Sequence, residues 1–329
     1  MMSTQTSQRP ATPVAQSLRR WMVEWKSLIA LLVLIAVVSV LSPNFFTADN
    51  LLNILRQTSV NAIMAVGMTL VILTAGIDLS VGSILALTGA FAASLIAADV
   101  SVFIAVPAAL LAGAAFGALS GTIIAKGKVQ AFIATLVTMT ALRGFTMVFT
   151  DGRPISAGFS DNADAFAVLG TGYWLGLPVP IWIMALVFAL AWYLLQHTRL
   201  GRYIYALGGN ESATRLSGIN VDRVKIAVYT LCGMLSALAG LIVTSRLSSA
   251  QPTAGMGYEL DAIAAVVVGG TSLMGGKGRI AGTLIGALII GFLNNALNLL
   301  DVSSYYQMIA KAAVILLAVM VDTKTTTKS

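Results

Sequence analysis

The chain has 329 residues, of which 57% are hydrophobic and only 10% are charged, and its mean hydropathy is +0.88. Soluble domains carry about 25% charged and about 45 to 50% apolar residues, so this composition excludes a soluble protein and predicts a membrane protein. The net charge is +7, and a single cysteine, Cys232, excludes an intramolecular disulfide framework.

Ten apolar runs are long enough to suggest membrane-spanning helices, since a lipid core about 30 Å thick needs about 20 mostly apolar residues per helix. We therefore predict an all-α integral membrane protein with about ten transmembrane helices. The eighth run ends in a glycine cluster, so nine spans with a re-entrant segment is the alternative. No signal-peptidase site follows the first run, which we expect to be retained. The runs are 27–41, 58–75, 79–98, 102–125, 130–149, 180–196, 224–245, 258–274, 279–299 and 304–321.

The basic residues favour ten spans with both termini in the cytoplasm, because cytoplasmic segments carry an excess of Lys and Arg. Of the 20 such residues, fifteen then lie inside, three lie outside (Arg56, Arg153 and Arg246) and two lie within helices (Arg143 and Lys311). They are spread over several loops, which predicts no nucleic-acid surface. The inner residues are Arg9, Arg19, Arg20, Lys26, Lys126, Lys128, Arg199, Arg202, Arg215, Arg223, Lys225, Lys277, Arg279, Lys324 and Lys328.

This topology divides the chain into three parts. A cytoplasmic N-terminal tail covers residues 1–26, a transmembrane domain covers 27–321, and a cytoplasmic C-terminal tail covers 322–329. Within the domain, residues 150–180 form a predicted periplasmic loop and residues 197–224 a predicted cytoplasmic loop. Each is long enough to bind another protein, although an ordinary solvated loop remains the alternative for 197–224.

The stretch AGIDLSVGSILALTGA, residues 75–90, places one carboxylate directly before an apolar helix. We predict that Asp78 caps this third helix, because free backbone N–H groups and the helix dipole favour a negative charge there. Gly76 would permit the sharp turn before it. The alternative is that Asp78 and Ser80 close the inner mouth of a transport pathway.

Glycines at four-residue spacing lie in two of the predicted helices. They are Gly113, Gly117 and Gly121 in one helix and Gly282 and Gly286 in another. Such spacing lets two helix backbones approach closely. We predict that both sets pack helices, and the alternative is a seam that slides during a transport cycle.

The predicted cytoplasmic loop contains the signals of a short helix. Asn210 is a suitable N-cap, Glu211 falls in the positively polarised first turn, and Gly218 can end the helix in a left-handed conformation. Asp222 is then placed to cap the next membrane helix. This arrangement predicts a rigid projection for a cytoplasmic partner.

Four stretches resemble the permease subunit of bacterial ABC importers for monosaccharides, and the resemblance extends from about Trp21 to Asp322. It implies the ABC importer permease fold and a homodimer in the inner membrane. It also implies a separate cytoplasmic subunit with two fused ATPase domains and a periplasmic sugar-binding protein. The stretches are AIMAVGMTLVILTAGIDLSVGSILALTGA, GKVQAFIATLVTMTALRG, TRLGRYIYALGGNESATRLSGIN and SAQPTAGMGYELDAIAAVVVGGTSLMGGKGRIAGTLIGALI.

The resemblance also implies where the ATPase makes contact. Within residues 205–220 it assigns this role to a set of small and polar residues. The Glu-Ala-Ala-x-x-x-Gly signature of many ABC importers is present only loosely, as ESATRLSG. The residues assigned are Gly209, Asn210, Glu211, Ala213 and Gly218.

The chain itself lacks a phosphate-binding loop. In GGTSLMGGKG, Lys277 is followed by Gly278, whereas a Walker A motif needs Ser or Thr there, and Thr271 occupies the first glycine position. One histidine, His197, one cysteine and scattered carboxylates offer neither a metal cluster nor a catalytic triad. We therefore predict a non-catalytic subunit without a cofactor, with ATP and Mg on the partner chain.

Polar residues near the outer ends of the predicted helices suggest a pathway for sugar. Asn294 and Asn298 lie one turn apart on the ninth helix and would either face this pathway or bond neighbouring helices. Arg143 and Lys311 lie about 9 to 10 Å below the outer boundary, close enough for their long side chains to reach it.

The predicted function is therefore that of a permease in an ATP-driven, binding-protein-dependent sugar importer. The closeness of the resemblance favours ribose, while xylose, arabinose, galactose, allose or a signalling sugar derivative remain alternatives. An ion-coupled secondary carrier is a further alternative. Such carriers place charged residues near the bilayer midplane, where the predicted helices have almost none.

Overall fold

The structure is a computed structural model that describes residues 26–326, which form thirteen helices and four two-residue strands. The remainder of the predicted tails, residues 1–25 and 327–329, lies outside the described residues. The helices are α1 Lys26–Leu41, α2 Ala48–Leu73, α3 Val81–Ala97, α4 Val102–Ala125, α5 Ala131–Thr150, α6 Asp161–Thr171, α7 Val179–His197, α8 Arg199–Gly209, α9 Glu211–Leu216, α10 Val221–Leu247, α11 Tyr258–Val268, α12 Ile280–Leu299 and α13 Ser304–Thr326.

Each of the ten predicted spans coincides with a helix. Among the described helices, six are long and apolar enough to cross a membrane: α2, α4, α5, α7, α10 and α12. Helices α1 and α3 are apolar but shorter. The predominantly helical membrane fold is therefore confirmed, whereas the number of spans and their orientation stay predictions.

Two bounds differ from the prediction. Helix α2 begins at Ala48, where the Thr47 hydroxyl accepts a hydrogen bond from the Asn50 amide. The helix therefore starts ten residues before the predicted run, and these residues include Arg56. Helix α11 ends at Val268, where Gly270 adopts a left-handed φ of 89°. Residues 269–274 thus belong to a turn rather than to a span.

The two predicted loops contain regular structure that hydropathy does not reveal. Segment 150–180 holds α6 and three strands: β1 Ile155–Ser156, β2 Tyr173–Trp174 and β3 Leu177–Pro178. Strand β1 pairs antiparallel with β4 Ser249–Ala250, and β2 pairs antiparallel with β3. Segment 197–224 holds α8 in addition to the predicted short helix α9. The all-α prediction is therefore incomplete by two small strand pairs.

Helices α2 and α10 form the centre of the bundle. The most apolar 18-residue stretch of α2 is 78% buried, compared with 22% for that of the peripheral helix α4. Met64 and Met68 of α2 and Tyr229 and Cys232 of α10 are completely or almost completely buried. These two helices therefore contribute the protein-facing core, while α4 turns most of its apolar surface outward.

Both predicted glycine sets pack helices, as expected. A Cβ atom on Gly113 would lie 2.6 Å from the Gly233 carbonyl oxygen, and one on Gly121 would lie 2.9 Å from the Ile226 Cα. On α12, a Cβ atom on Gly286 would lie 2.8 Å from the Gly269 nitrogen. The close packing of α4 against α10 and of α11 against α12 therefore requires glycine, which has a hydrogen atom in place of a side chain.

Two helices begin inside the bundle instead of at its end. The Ser83 hydroxyl, in the first turn of α3, donates to the Met139 carbonyl oxygen near the middle of α5. Helix α11 has 11 residues and is thus only about 16 Å long, roughly half of a lipid core. The first turn of α3 meets the backbone before α11, since a Cβ on Gly255 would lie 3.0 Å from the Gly82 Cα. Interrupted helices of this kind line substrate sites in transporters.

Candidate functional site

The short helix α9 projects from the bundle between α8 and α10, with the ends that the sequence predicts. The Asn210 side-chain oxygen accepts a hydrogen bond of 2.9 Å from the Ala213 amide, which satisfies one free donor of the first turn. Glu211 occupies that turn, and Gly218 follows the helix with a φ of 81°. These three residues therefore fix where α9 begins and ends.

Ion pairs fasten α9 to α10. Glu211 pairs with Lys225 at 2.8 Å and with Arg215 at 3.3 Å, and Arg215 pairs with Asp222 at 3.0 Å. The prediction that Asp222 caps α10 is wrong, because the side chain of Asn220 accepts from the Arg223 amide and Asp222 is drawn to Arg215 instead. Single surface pairs contribute little, so the network mainly orients the short helix.

The same network shifts the acidity of Glu211. Partial burial would raise the pKa of its carboxyl, but hydrogen bonds and charge from Lys225 and Arg215 outweigh this and hold the pKa below its ordinary value. A lowered pKa means that the ionised form is favoured in the folded protein. The contribution of the Glu211–Lys225 pair to this attachment is thus complete above the ordinary carboxyl range and is lost as the pH falls through the lowered pKa of Glu211.

Most of α9 is exposed. Thr214 is its one buried residue, and Leu216 is 89% exposed. An isolated apolar side chain on a projecting helix is available to fill a groove on another protein. Sequence reasoning missed Leu216, because the apolar letter alone suggests an inward-facing residue.

Gly209 belongs to a junction of three backbones. The Gly276 amide donates to the Leu73 carbonyl oxygen at 3.0 Å, and a Cβ atom on Gly276 would lie 2.8 Å from the Gly209 nitrogen. A Cβ atom on Gly208 would likewise collide with the Leu73 carbonyl. The end of α8, the end of α2 and the turn before α12 therefore touch directly, which links the projection to α2.

Asp78 lies in the junction between α2 and α3 and is completely buried. Its Oδ1 atom accepts hydrogen bonds from the Ser80 amide at 2.9 Å and from the Ser80 hydroxyl at 2.6 Å. Its Oδ2 atom has no hydrogen-bond partner among residues 26–326. The prediction that Asp78 itself caps α3 is wrong, since Ser80 is the N-cap residue and Asp78 holds Ser80 in place.

The conformation of this junction also differs from the prediction. Ala75 takes the left-handed conformation with a φ of 60°, so the turn does not depend on Gly76. Gly76 is needed for packing, because a Cβ atom there would lie 2.5 Å from the Tyr229 hydroxyl. The Ile77 carbonyl accepts hydrogen bonds from Tyr229 and Thr135, each at 3.3 Å. Helices α10 and α5 thereby anchor the junction.

A large cavity adjoins this junction and α9; we call it the inner cavity because its residues lie on the side predicted to face the cytoplasm. It measures about 730 Å³ and is lined by Gly76 and Tyr229 at one end and by the Glu211–Arg215 pair at the other. Lys126 and Lys128 add positive charge to its wall. The cavity thus connects the surroundings of the projection with the backbone that carries Asp78.

A smaller cleft lies at the opposite end of α2 and α10; we call it the outer cleft because its residues lie on the side predicted to face the periplasm. It measures about 230 Å³, and its polar lining includes Asn61, Asn294 and Asn298. Asn298 is exposed and accepts a hydrogen bond from Gln307 at 2.8 Å, whereas the side-chain oxygen of Asn294 has no partner in the described part of the chain. The cleft therefore brings both predicted asparagines together.

Two charged side chains behave differently from the snorkelling that the sequence suggests. Lys311 bonds the Asp261 carboxylate at 3.0 Å on the wall of the outer cleft. Arg143 donates to the carbonyl oxygens of Pro252 and Ala254, both at 2.9 Å. Both side chains are therefore held by partners 50 and more positions away in the sequence.

Comparison with known proteins assigns these features to a family. The family described as "Branched-chain amino acid transport system / permease component" matches residues 50–319, most of the chain. The chain belongs to this permease family. Because the match includes α2 through most of α13, both cavities and the projecting helix lie within the permease domain.

Individual permeases are similar over nearly the whole chain. The ribose import permease protein RbsC of Haemophilus influenzae is 72% identical over 94% of this chain and 96% of its own length. RbsC of Bacillus subtilis is 56% identical over 90% and 91%, and the D-allose transport system permease protein AlsC of Escherichia coli is 42% identical over 89% of both chains. No solved structure is significantly similar to this permease.

Proposed function

We propose that this chain is the permease of an ATP-driven importer that carries ribose across the inner membrane of a bacterium. The observation that carries the proposal is its 72% identity to a ribose import permease over almost the full length of both proteins. The lower identity, 42%, to a D-allose permease makes allose a weaker candidate. Xylose, arabinose, galactose and a signalling sugar derivative are tested as competing cargoes.

The proposed topology has ten spans with both termini in the cytoplasm. Eight of the ten helices would cross as continuous segments. Helix α3 would begin within the membrane after the turn at residues 74–80, and α11 would continue through the turn at residues 269–279 towards the inner side. Contact of Gly276 with Leu73, at the proposed inner end of α2, supports this course. The projecting helix α9 then lies in the cytoplasm, and the β1–β4 pair lies in the periplasm.

In this arrangement α9 receives the motion of the ATPase. We place Leu216 and Ala213 in a groove of that subunit, with Asn210, Glu211 and Gly218 holding the helix and Gly209 linking it to α2. The exposure of Leu216 and the ion pairs to α10 support a rigid projection that binds through one apolar side chain. Burial of one leucine contributes roughly 1.5–3 kcal/mol, enough to weaken coupling when it is removed.

The complete importer would contain partners that the single chain does not represent. A second copy of the permease, a cytoplasmic subunit with two fused ATPase domains, and a periplasmic sugar-binding protein would assemble around it. The sugar-binding protein would bind the permease on the periplasmic side, and the ATPase would hydrolyse ATP on the cytoplasmic side. Asp78 and Ser80 would close the pathway on the inner side, beside the inner cavity, and Asn294 and Asn298 would face it on the outer side.

Reconstitution in liposomes tests this function. Radiolabelled ribose should accumulate in vesicles that contain the permease and its ATPase, with ATP inside and the sugar-binding protein outside. Omitting ATP, the ATPase or the sugar-binding protein should abolish accumulation. Faster accumulation of allose, xylose, arabinose, galactose or a signalling sugar derivative would show that ribose is not the preferred cargo. Accumulation by the permease alone would refute the proposal.

The second candidate is an ion-coupled sugar carrier. The buried Asp78 and the Asp261–Lys311 pair favour it, since ionisable groups inside a membrane bundle often serve ion pathways. The same vesicles distinguish the two functions. Uptake driven by an imposed proton or sodium gradient without ATP would support the carrier, whereas dependence on ATP alone supports the importer.

A further inference from the structure

The outer cleft contains an unusual concentration of polar atoms without partners. The side-chain oxygens of Thr58, Asn61 and Asn294 are all buried, line or border this cleft, and make no hydrogen bond within residues 26–326. Leaving a buried acceptor or donor unpaired costs about 1–3 kcal/mol, so such atoms are normally matched by water or by a ligand. Three of them at one place indicate a site that is completed by something polar.

The size of the cleft limits that ligand. At about 230 Å³ it is smaller than the roughly 300–1,000 Å³ of pockets for drug-sized molecules. One monosaccharide fits this volume, whereas a disaccharide is too large. The cleft also opens at exposed Gln57 and Asn298, which provides an entrance.

The chemistry of the lining also suits a sugar. An asparagine side chain both donates and accepts, as does a sugar hydroxyl, and the Asp261–Lys311 pair adds a strong acceptor and a strong donor. The charges of this pair cancel, and Arg246 adds one further positive charge and more hydrogen-bond donors to the wall. These donors and acceptors match the hydroxyl groups of a polyhydroxylated molecule.

We propose that the outer cleft is a monosaccharide-binding subsite of the permease, in which Asn61 and Asn294 exchange hydrogen bonds with sugar hydroxyls beside the Asp261–Lys311 pair. The proposal rests on the proposed function and adds a defined binding step to it. Sugar released by the binding protein would pause here, at the outer end of α2 and α12, before the inner end opens.

Neighbouring asparagines on α12 provide a matched test. Asn294 faces the cleft, whereas Asn295 forms a reciprocal amide pair with Asn50 of α2, at 2.8 and 3.1 Å. The variants Asn294→Cys and Asn295→Cys are labelled in nanodiscs with a small thiol reagent, with and without ribose. The wild type gives the background, because its one cysteine, Cys232, is buried.

Ribose should slow labelling of Asn294→Cys severalfold and leave Asn295→Cys unchanged, and sucrose should protect neither. In reconstituted complexes, Asn294→Ala should reduce the maximal rate of ribose uptake roughly 2- to 10-fold, the loss expected for one hydrogen-bonding group. Asn295→Ala should instead lower thermal stability and retain uptake per folded complex.

The outcomes separate the two proposals. Suppose that the wild type takes up ribose normally. If ribose then does not protect Asn294→Cys, or protects Asn294→Cys and Asn295→Cys equally, the subsite is overturned and the importer function remains intact. Absence of ribose uptake by the wild-type complex would instead refute ribose as the cargo. A cleft occupied only by water gives no protection by any sugar and also overturns the subsite.

Discussion

At the residue scale, the contacts of the important side chains become apparent only in the folded chain. Asp78 was identified from its position before an apolar helix, but its real partner is Ser80, and its free oxygen becomes visible only in the folded chain. Lys311 and Asp261 are 50 positions apart, and no local pattern joins them. The sequence can therefore suggest which residues are unusual, and the packing decides what each one does.

The substitution Asp78→Asn tests the inner closure. The Asn side-chain oxygen can still accept from Ser80, so folding and thermal stability should change little, whereas the carboxyl group is removed. We expect ribose uptake by the reconstituted complex to fall at least about tenfold, equivalent to about 1.4 kcal/mol. Ser80→Ala, which leaves the backbone hydrogen bond, should have a smaller effect. Normal uptake with normal ATP coupling in Asp78→Asn would show that the carboxylate is purely structural.

Replacing Leu216 tests the contact with the ATPase. Leu216→Ala should weaken assembly with that subunit and reduce sugar-stimulated ATP hydrolysis roughly tenfold, because one buried apolar side chain contributes about 1.5–3 kcal/mol. The control is Leu175→Ala, which removes another exposed leucine at the β2–β3 turn. If both variants couple as well as the wild type, Leu216 is not part of the interface.

At the element scale, apolar runs were sufficient to locate nine long helices and the shorter α11, because a lipid core demands about 20 apolar residues per crossing. They were not sufficient for α8, whose buried positions Gly201, Ile204 and Leu207 recur every three residues on one face. That pattern is present in the sequence and could have revealed a helix lying on the bundle. Strand pairs such as β1 with β4 join residues about 95 positions apart and have no local signal.

The glycine seam between α4 and α10 gives a prediction about stability. Gly117→Ala should destabilise the protein by about 1–3 kcal/mol, since the added methyl group forces the two backbones apart. Gly144→Ala in α5 is the control, because a Cβ atom there would contact nothing within 4 Å. It should be neutral or stabilising by up to about 1 kcal/mol. Thermal unfolding in detergent measures both, and equal effects would mean that the seam is not tight.

At the scale of the whole molecule, the two cavities lie at opposite ends of α2 and α10 with a buried apolar core between them. Their residues come from many elements, from α2 to α13, so composition alone could not place them. The closed core between them suits a protein that admits substrate from one side at a time. The sequence supplied the family and the polar candidates, but the separation of an outer and an inner space required the fold.

The orientation of the molecule can be tested with two exposed positions at opposite ends. Phe159→Cys, before α6, should react with a membrane-impermeant thiol reagent in intact cells, whereas Leu216→Cys on α9 should react only after the cells are opened. Unmodified protein should stay unlabelled, because Cys232 is buried. The reverse pattern would invert the proposed topology and move α9 away from the ATP.

The three-backbone junction of Gly208, Leu73 and Gly276 has a mechanical consequence. A side chain between two helices that move can change its rotamer, so part of the displacement of one helix is not transmitted to the other. Here main-chain atoms rest against main-chain atoms, and the peptide units cannot give in that way. The junction is therefore a rigid contact between α8 and α2. If α9 and the end of α8 tilt, the end of α2 must rotate with them; otherwise the contact prevents the tilt.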